Sequence, residues 1–179
     1  SMNNSNISRR SILCLCVTMT LFLFMPLTSH GQTEKLGIVQ YTPPEDWTKT
    51  PKENIIVFSK IDEATGGFCT ITLYGATPGA GNAKNDFSRE WKNLVVEPFK
   101  GEEDPKTETA SADGWTITAG ASSVEFAGAR PMAFLTVYSG FDKTVSILTI
   151  LNDESYVAQM TAFVAGIQLD NAVAAEPRI

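Results

Sequence analysis

Apolar residues in this chain fall into two spacings separated by Gly, Pro and Asx punctuation. Ile55-Ile56-Val57-Phe58 and Phe68-Cys69-Thr70-Ile71-Thr72-Leu73-Tyr74 are short β-rich runs. The stretch between them, residues 62–67, ends in Thr65-Gly66-Gly67, which is turn chemistry, so the two runs predict a hairpin. Further on, Trp115 to Ala119, Ser122 to Phe126, Ala133 to Tyr138 and Thr144 to Leu151 are broken at Gly120, at Gly128 with Pro131, and at residues 140–143. Four runs at that spacing predict an antiparallel meander.

Two segments have helical spacing instead. Phe87, Trp91, Leu94 and Val95 stand at i, i+4, i+7 and i+8, with Asn85 or Asp86 as the expected N-cap. Tyr156, Met160, Phe163, Val164 and Ile167 form the second stripe, with Asn152 or Asp153 as cap and Gly166 near the stop. The predicted order is two strands, helix, four strands, helix. Each helix has one apolar stripe and each strand group one apolar face, so helices packed on an antiparallel sheet bury both. The fold class is α+β, with about six strands and two main helices in a single domain over residues 40–170.

The N-terminus reads differently. Ser1 before Met2 reads as an expression scar; Arg9 and Arg10 precede an uncharged run from Ile12 to Leu27, and Ser29 and Gly31 are the small residues expected at a signal-peptidase site. Residues 1–31 are therefore expected to be a cleaved leader to the periplasm or the exterior, by the general or the twin-arginine route, leaving no membrane anchor. Residues 32–39 read as an N-terminal extension and 171–179 as an unpacked tail.

That cut changes the composition. The chain has one His, His30, and three Cys, of which Cys14 and Cys16 lie in the leader, so the processed form has no histidine and only Cys69. Histidine is the common general base, nucleophile partner and metal ligand, so Ser-His-Asp, Cys-His and His-metal chemistry all fall away. Loss of Arg9 and Arg10 leaves 12 Lys and Arg against 20 acids, a net charge of −8 where the whole chain has −6. Without a basic stripe, nucleic acid and anionic lipid are poor partners.

The layout resembles the PsbP-like superfamily. Tyr41-Thr42-Pro43-Pro44-Glu45-Asp46-Trp47 leads into a hairpin, followed by a helix with a Phe-x-x-x-Trp stripe, a long meander and a final helix. The resemblance implies an α/β/α sandwich around a central antiparallel sheet and fits the uncharacterised secreted bacterial branch. It carries over no catalytic motif, and the metal-binding histidines of the plant-type proteins have no counterpart here.

Other candidates resolve toward structure. Residues 75–84 form a Gly-rich loop between strand and helix, but Asn82 follows Gly81 and Asn85 follows Lys84, so P-loop spacing fails; a flexible connection is expected. Cys69 in mid-strand reads as a small buried hydrophobe. Glu102-Glu103-Asp104 lacks the spacing of a calcium loop and reads as solvated. No catalytic residue, metal site or cofactor is assigned. Trp47, Trp115 and Phe141 are the candidate ligand-binding residues, Phe141 because it puts an aromatic ring on a predicted turn. The expected function is a non-enzymatic binding or accessory protein whose partner is a protein or a small molecule. The alternatives are a carboxylate-only, glycosidase-like hydrolase and an envelope assembly protein.

Overall fold

The computed structural model describes residues 31–171. The leader reading, with Cys14, Cys16 and His30, lies outside the described residues apart from Gly31, and so does the tail beyond Asn171. Strands β1 (Glu34–Leu36), β2 (Val39–Tyr41), β3 (Thr48–Lys52), β4 (Ile55–Ile61) and β5 (Phe68–Pro78) come first. Helix α1 (Ala83–Trp91) then runs through a π-helical turn, Lys92–Val96, into α2 (Glu97–Phe99). Strands β6 (Thr107–Ala112), β7 (Trp115–Ser123), β8 (Met132–Gly140) and β9 (Lys143–Leu151) follow, then α3 (Val157–Ala165) and β10 (Gln168–Leu169).

Seven strands form one antiparallel sheet in the order β3-β4-β5-β9-β8-β7-β6, and β1-β2-β10 form a second, small sheet. The central strands of the large sheet are buried on both faces. On one, Cys69, Ile71 and Leu73 of β5 and Val145, Ile147 and Leu151 of β9 meet Phe163 of α3 and Val39 and Tyr41 of β2. On the other, Leu135, Val137, Leu148 and Ile150 meet Phe87, Trp91 and Val95 of the first helical segment. We call these the α3 face and the α1 face. The result is an α+β sandwich with helices on both sides of an antiparallel sheet, as the layout predicts.

Several boundaries differ from the sequence reading. Residues 34–39, read as extension, supply β1 and the start of β2, because Val39 and Tyr41 are fully buried against Phe58 and Phe163. The sheet has seven strands because β3 and β6 flank it as edges, and all their residues are exposed, so neither carries an apolar alternation. Gly120 does not break a strand. It sits inside β7, paired with Leu135, where a Cβ would come 2.8 Å from Cζ of Phe87. Helix α1 starts earlier than Asn85, because Asn82 is the cap and its side chain accepts from the Asn85 N–H. At the second helix Asp153 caps as expected, accepting from the Ser155 N–H, and Gly166 closes α3.

Gly120 gives the first test. The Phe87 ring that a Cβ would strike is stacked on Trp91 at 5.6 Å and has little room to yield. Gly120→Ala should lower stability by about 1–3 kcal/mol through overpacking. Urea titration of both forms measures it, and an unchanged midpoint would show that α1 is free to shift off β7.

Candidate functional site

The three sequence candidates do not converge. Trp115 is buried beneath Phe141 at 5.3 Å between ring centroids, and its indole N–H donates to Asn171 Oδ1 at 2.8 Å. Phe141 itself is 49% exposed and, with Asp142, forms the two-residue turn between β8 and β9, both at positive φ. That turn geometry matches the twist of a hairpin but is costly for a non-glycine aromatic. Trp47 directly precedes β3, the opposite edge strand, half-buried against the α3-face core and edge-on to Tyr156 at 5.9 Å. Trp115 and Phe141 thus form one pair at a hairpin end, and Trp47 stands apart from it.

The chemistry-bearing cluster lies elsewhere, where α1 meets β8 and β9. Asp86, only 3% exposed, accepts from the Ala80 N–H and the Ser139 hydroxyl. Arg89 donates from Nε to Glu90 Oε1 at 3.0 Å, from Nη1 to the Pro78 carbonyl at 3.1 Å and from Nη2 to Thr144 Oγ1 at 3.1 Å, and lies 3.8 Å from Asp86 Oδ1. Ser146 donates to Glu90 Oε2 at 3.1 Å. A glycosidase-like acid pair needs two carboxyls facing each other across a gap, one of them holding a proton. Here both acids share one helix face, Arg89 lies between them, and each accepts from hydroxyl or backbone donors. The geometry is that of a clamp fastening α1 to the sheet.

The Gly-rich connection belongs to this clamp. Residues 75–78 continue β5, the Gly79 N–H donates to the Asp142 carbonyl at 2.8 Å, and Asn85 Nδ2 reaches the Ala80 carbonyl. The expected flexible connection is instead a pinned one, because its backbone is held by Asp86 and by the Phe141–Asp142 turn.

A groove of about 850 Å³ opens on the α3 face. Two cross-strand rows make its floor. Ala121, Phe134 and Thr149 form one, and Ala119, Thr136 and Ile147 the other. Met160 and Val164 of α3 form the wall, and Glu108 with Lys106 stands at the open end. The cause is side-chain size. On this face β5 presents Ile71 and Leu73, which fill the space below the covering elements, while β7, past Trp115 and Ile117 at its start, presents alanines at 119 and 121. The floor therefore drops toward β7, and α3 does not close over it. The volume lies within the range of small-ligand sites, and the lining is mostly apolar with a few hydroxyls, as in such sites. The sequence carried one signal for it, the Ala-Gly-Ala of residues 119–121, which reads as a strand break rather than as a trough. A second hollow of about 770 Å³ lies on the α1 face, with Phe87, Trp91 and Thr118 inside and Lys84, Lys92, Glu103 and Asp104 around it.

Among the described residues, no cluster of three or more His, Cys, Asp or Glu is placed to hold a metal ion, and no helix is long and apolar enough to cross a membrane.

No family model matches the chain, and no curated protein matches its sequence. Solved structures do match. A crystal structure from Bacteroides thetaiotaomicron VPI-5482 superposes at TM-score 0.55 over 82% of this chain, with 11% identity. This chain spans about half of that protein, 51% of its length. The solution structure of PsbP from Synechocystis sp. PCC 6803 superposes at TM-score 0.51 with 9% identity, over 78% of this chain and 92% of that one. The chain has the PsbP-like fold, an α+β architecture built on a large antiparallel sheet.

Cys69 is fully buried in β5, and desolvation pushes its thiol from an ordinary 9.0 up to about 12. Burial likewise raises the Tyr138 phenol from 10.0 to about 12. In both, folding favours the protonated form, so their contribution is complete below the unfolded values and is lost as pH rises through the folded ones. Stability should therefore decline from about pH 9 to pH 12, and Cys69→Ala should flatten part of that slope. Urea midpoints at stepped pH measure this. Equal slopes in the two proteins would mean that the thiol does not feel its burial.

Proposed function

We propose that the protein is an exported, non-enzymatic binding or accessory module that takes an apolar ligand group in the groove beside α3. The observation that carries this reading is the groove itself. A buried face of a central sheet is normally filled, yet here alanines at 119 and 121 leave a trough whose Phe134, Met160 and Val164 stay partly open to solvent. Half-buried apolar groups around a cavity gain free energy when a ligand displaces water from them. The clamped carboxylates of α1 support the non-enzymatic part, since each already has its donors. Export rests on the leader-like run of residues 1–31, and the partner, protein or small molecule, rests on the groove.

Filling the trough tests the binding site. The dye 1-anilinonaphthalene-8-sulfonate should bind the protein saturably, and Ala121→Trp should weaken it at least about tenfold, whereas Phe141→Ala should leave it unchanged. Thr136→Phe, on the half-buried second row, repeats the test should the tryptophan disturb folding. Undiminished dye binding in both filled variants would overturn the assignment. For export, intact mass of the secreted chain should place its first residue at Gln32, and a chain retaining residues 1–31 would remove the exported reading.

A further inference from the structure

The two edges of the seven-stranded sheet are built differently. The edge at β3 reads Thr48-Lys49-Thr50-Pro51-Lys52. Pro51 has no N–H, two lysines stand along the strand, and Lys49 pairs with Glu34 of β1. Proline and lysine are the residues that keep an edge from accepting another strand. The edge at β6 reads Thr107-Glu108-Thr109-Ala110-Ser111-Ala112. It has no Pro, Lys or Gly, its register against β7 runs without a bulge, and all its residues are exposed. Thr107 and Thr109 are its strand-favouring residues.

This edge, whose one charged residue is Glu108, also lies between two hollows. The groove on the α3 face reaches Lys106, Thr107 and Glu108, and the hollow on the α1 face reaches Thr107 and Thr109. Side chains of a strand alternate between faces. A strand added to β6 would therefore drop successive side chains into the groove by α3 and toward Phe87 and Trp91. A compact small ligand needs one hollow and no edge. An edge with a hollow on each side suits an extended polypeptide, whose main chain supplies affinity and whose alternate side chains supply selectivity.

The charge around β6 narrows the partner. Glu102, Glu103, Asp104, Glu108 and Asp113 lie on or beside the strand in sequence, against Lys106 in the same stretch and Lys84 and Lys92 around the α1-face hollow, so acids outnumber bases there. Two copies meeting edge to edge would bring these acids together, and like charges opposed across strands are unfavourable. We propose that β6 is the docking edge for an extended cationic segment of a partner polypeptide, which pairs with it main chain to main chain and buries apolar side chains in the groove beside α3. This rests on reading that groove as the binding site.

The probe is an acetylated, amidated peptide, KRVTVTVRK, titrated into the full chain by fluorescence anisotropy with hydrogen exchange in parallel. Saturable binding is expected, with new amide protection confined to residues 107–112 and their neighbours. N-methylation of alternate peptide residues, in the register that faces β6, should weaken binding at least about tenfold, as should the acid-flanked EEVTVTVEE. Successive residues of a strand turn their N–H groups alternately toward and away from the neighbour, so one of Thr109→Pro and Ala110→Pro keeps the β7 ladder. That variant should melt like the parent and still lose the peptide. Absence of saturable binding at millimolar peptide, equal binding of the N-methylated peptide, or protection away from β6 would each overturn the proposal. A dimer that disperses in the proline variant would overturn it in favour of a second copy. If the dye still senses Ala121→Trp while the peptide fails, the docking edge falls and the groove reading stands.

Discussion

A wide sheet with too little cover governs the rest of this structure. Seven strands at about 4.8 Å spacing span nearly 30 Å between the outer two, whereas a helix with its side chains is about 10–12 Å across. One helical segment per face therefore shields a few strands and leaves the others to be managed some other way. On the α3 face the small β1-β2-β10 sheet extends the cover over β4 through Val39, Tyr41 and Phe58. Among the described residues nothing comparable extends it toward β6, and beyond Ile117 the chain places alanine, glycine, serine and threonine there instead of large apolar residues. The grooves are the geometric remainder of that economy, with apolar walls where cover stops and small residues beyond.

Placement of the helices matters more when each has so much to cover, and the polar clamp at α1 serves that end. Burial of Phe87, Trp91 and Val95 gives attraction without direction, since apolar contact is not directional. Direction comes from Asp86 and Arg89, which tie the helix start to the Ala80 N–H, the Pro78 carbonyl, Ser139 and Thr144. Among the described residues no buried side-chain nitrogen or oxygen lacks a hydrogen-bond partner. On the opposite face the corresponding tie is weaker, with the Tyr138 hydroxyl reaching the Val164 carbonyl at 3.4 Å. Each helix flanks a hollow, α1 held beside its own by the Asp86 and Arg89 ties and α3 by the longer Tyr138 contact.

How much of this was legible in the sequence follows from the same physics. The strands β4, β5, β8 and β9 were readable because they lie at the centre of the sheet and carry buried residues such as Ile71, Leu73, Val137 and Val145. Both helices were readable from stripes that do face the core, Phe87 with Trp91 and Tyr156 with Phe163. The edges were silent because a strand exposed on both faces has no reason to alternate, so Thr48–Lys52 and Thr107–Ala112 look like loop. Gly120 misled because a glycine in a sequence signals a turn, while its actual cause is a ring from another element 2.8 Å from where a Cβ would stand. Asn82 was passed over as cap because the apolar stripe starts at Phe87, one turn later than the helix itself.

The candidate site was the least legible part, and for a definite reason. Large aromatics are the most visible candidates for a contact site in a sequence, and Trp47, Trp115 and Phe141 stand out for that reason. Two of them turned out to be occupied with each other at a hairpin end, and the third with Tyr156. A cavity is made by what is missing, so its strongest signal lies in small residues where large ones would be expected, here Ala119 and Ala121 opposite Thr136 and Phe134. The property that hid β6 from prediction, its short and polar side chains, is also what leaves its backbone accessible. In a sheet wider than its cover, weak sequence signal and accessible surface therefore coincide, and the segments that read as featureless are the ones with room for a partner.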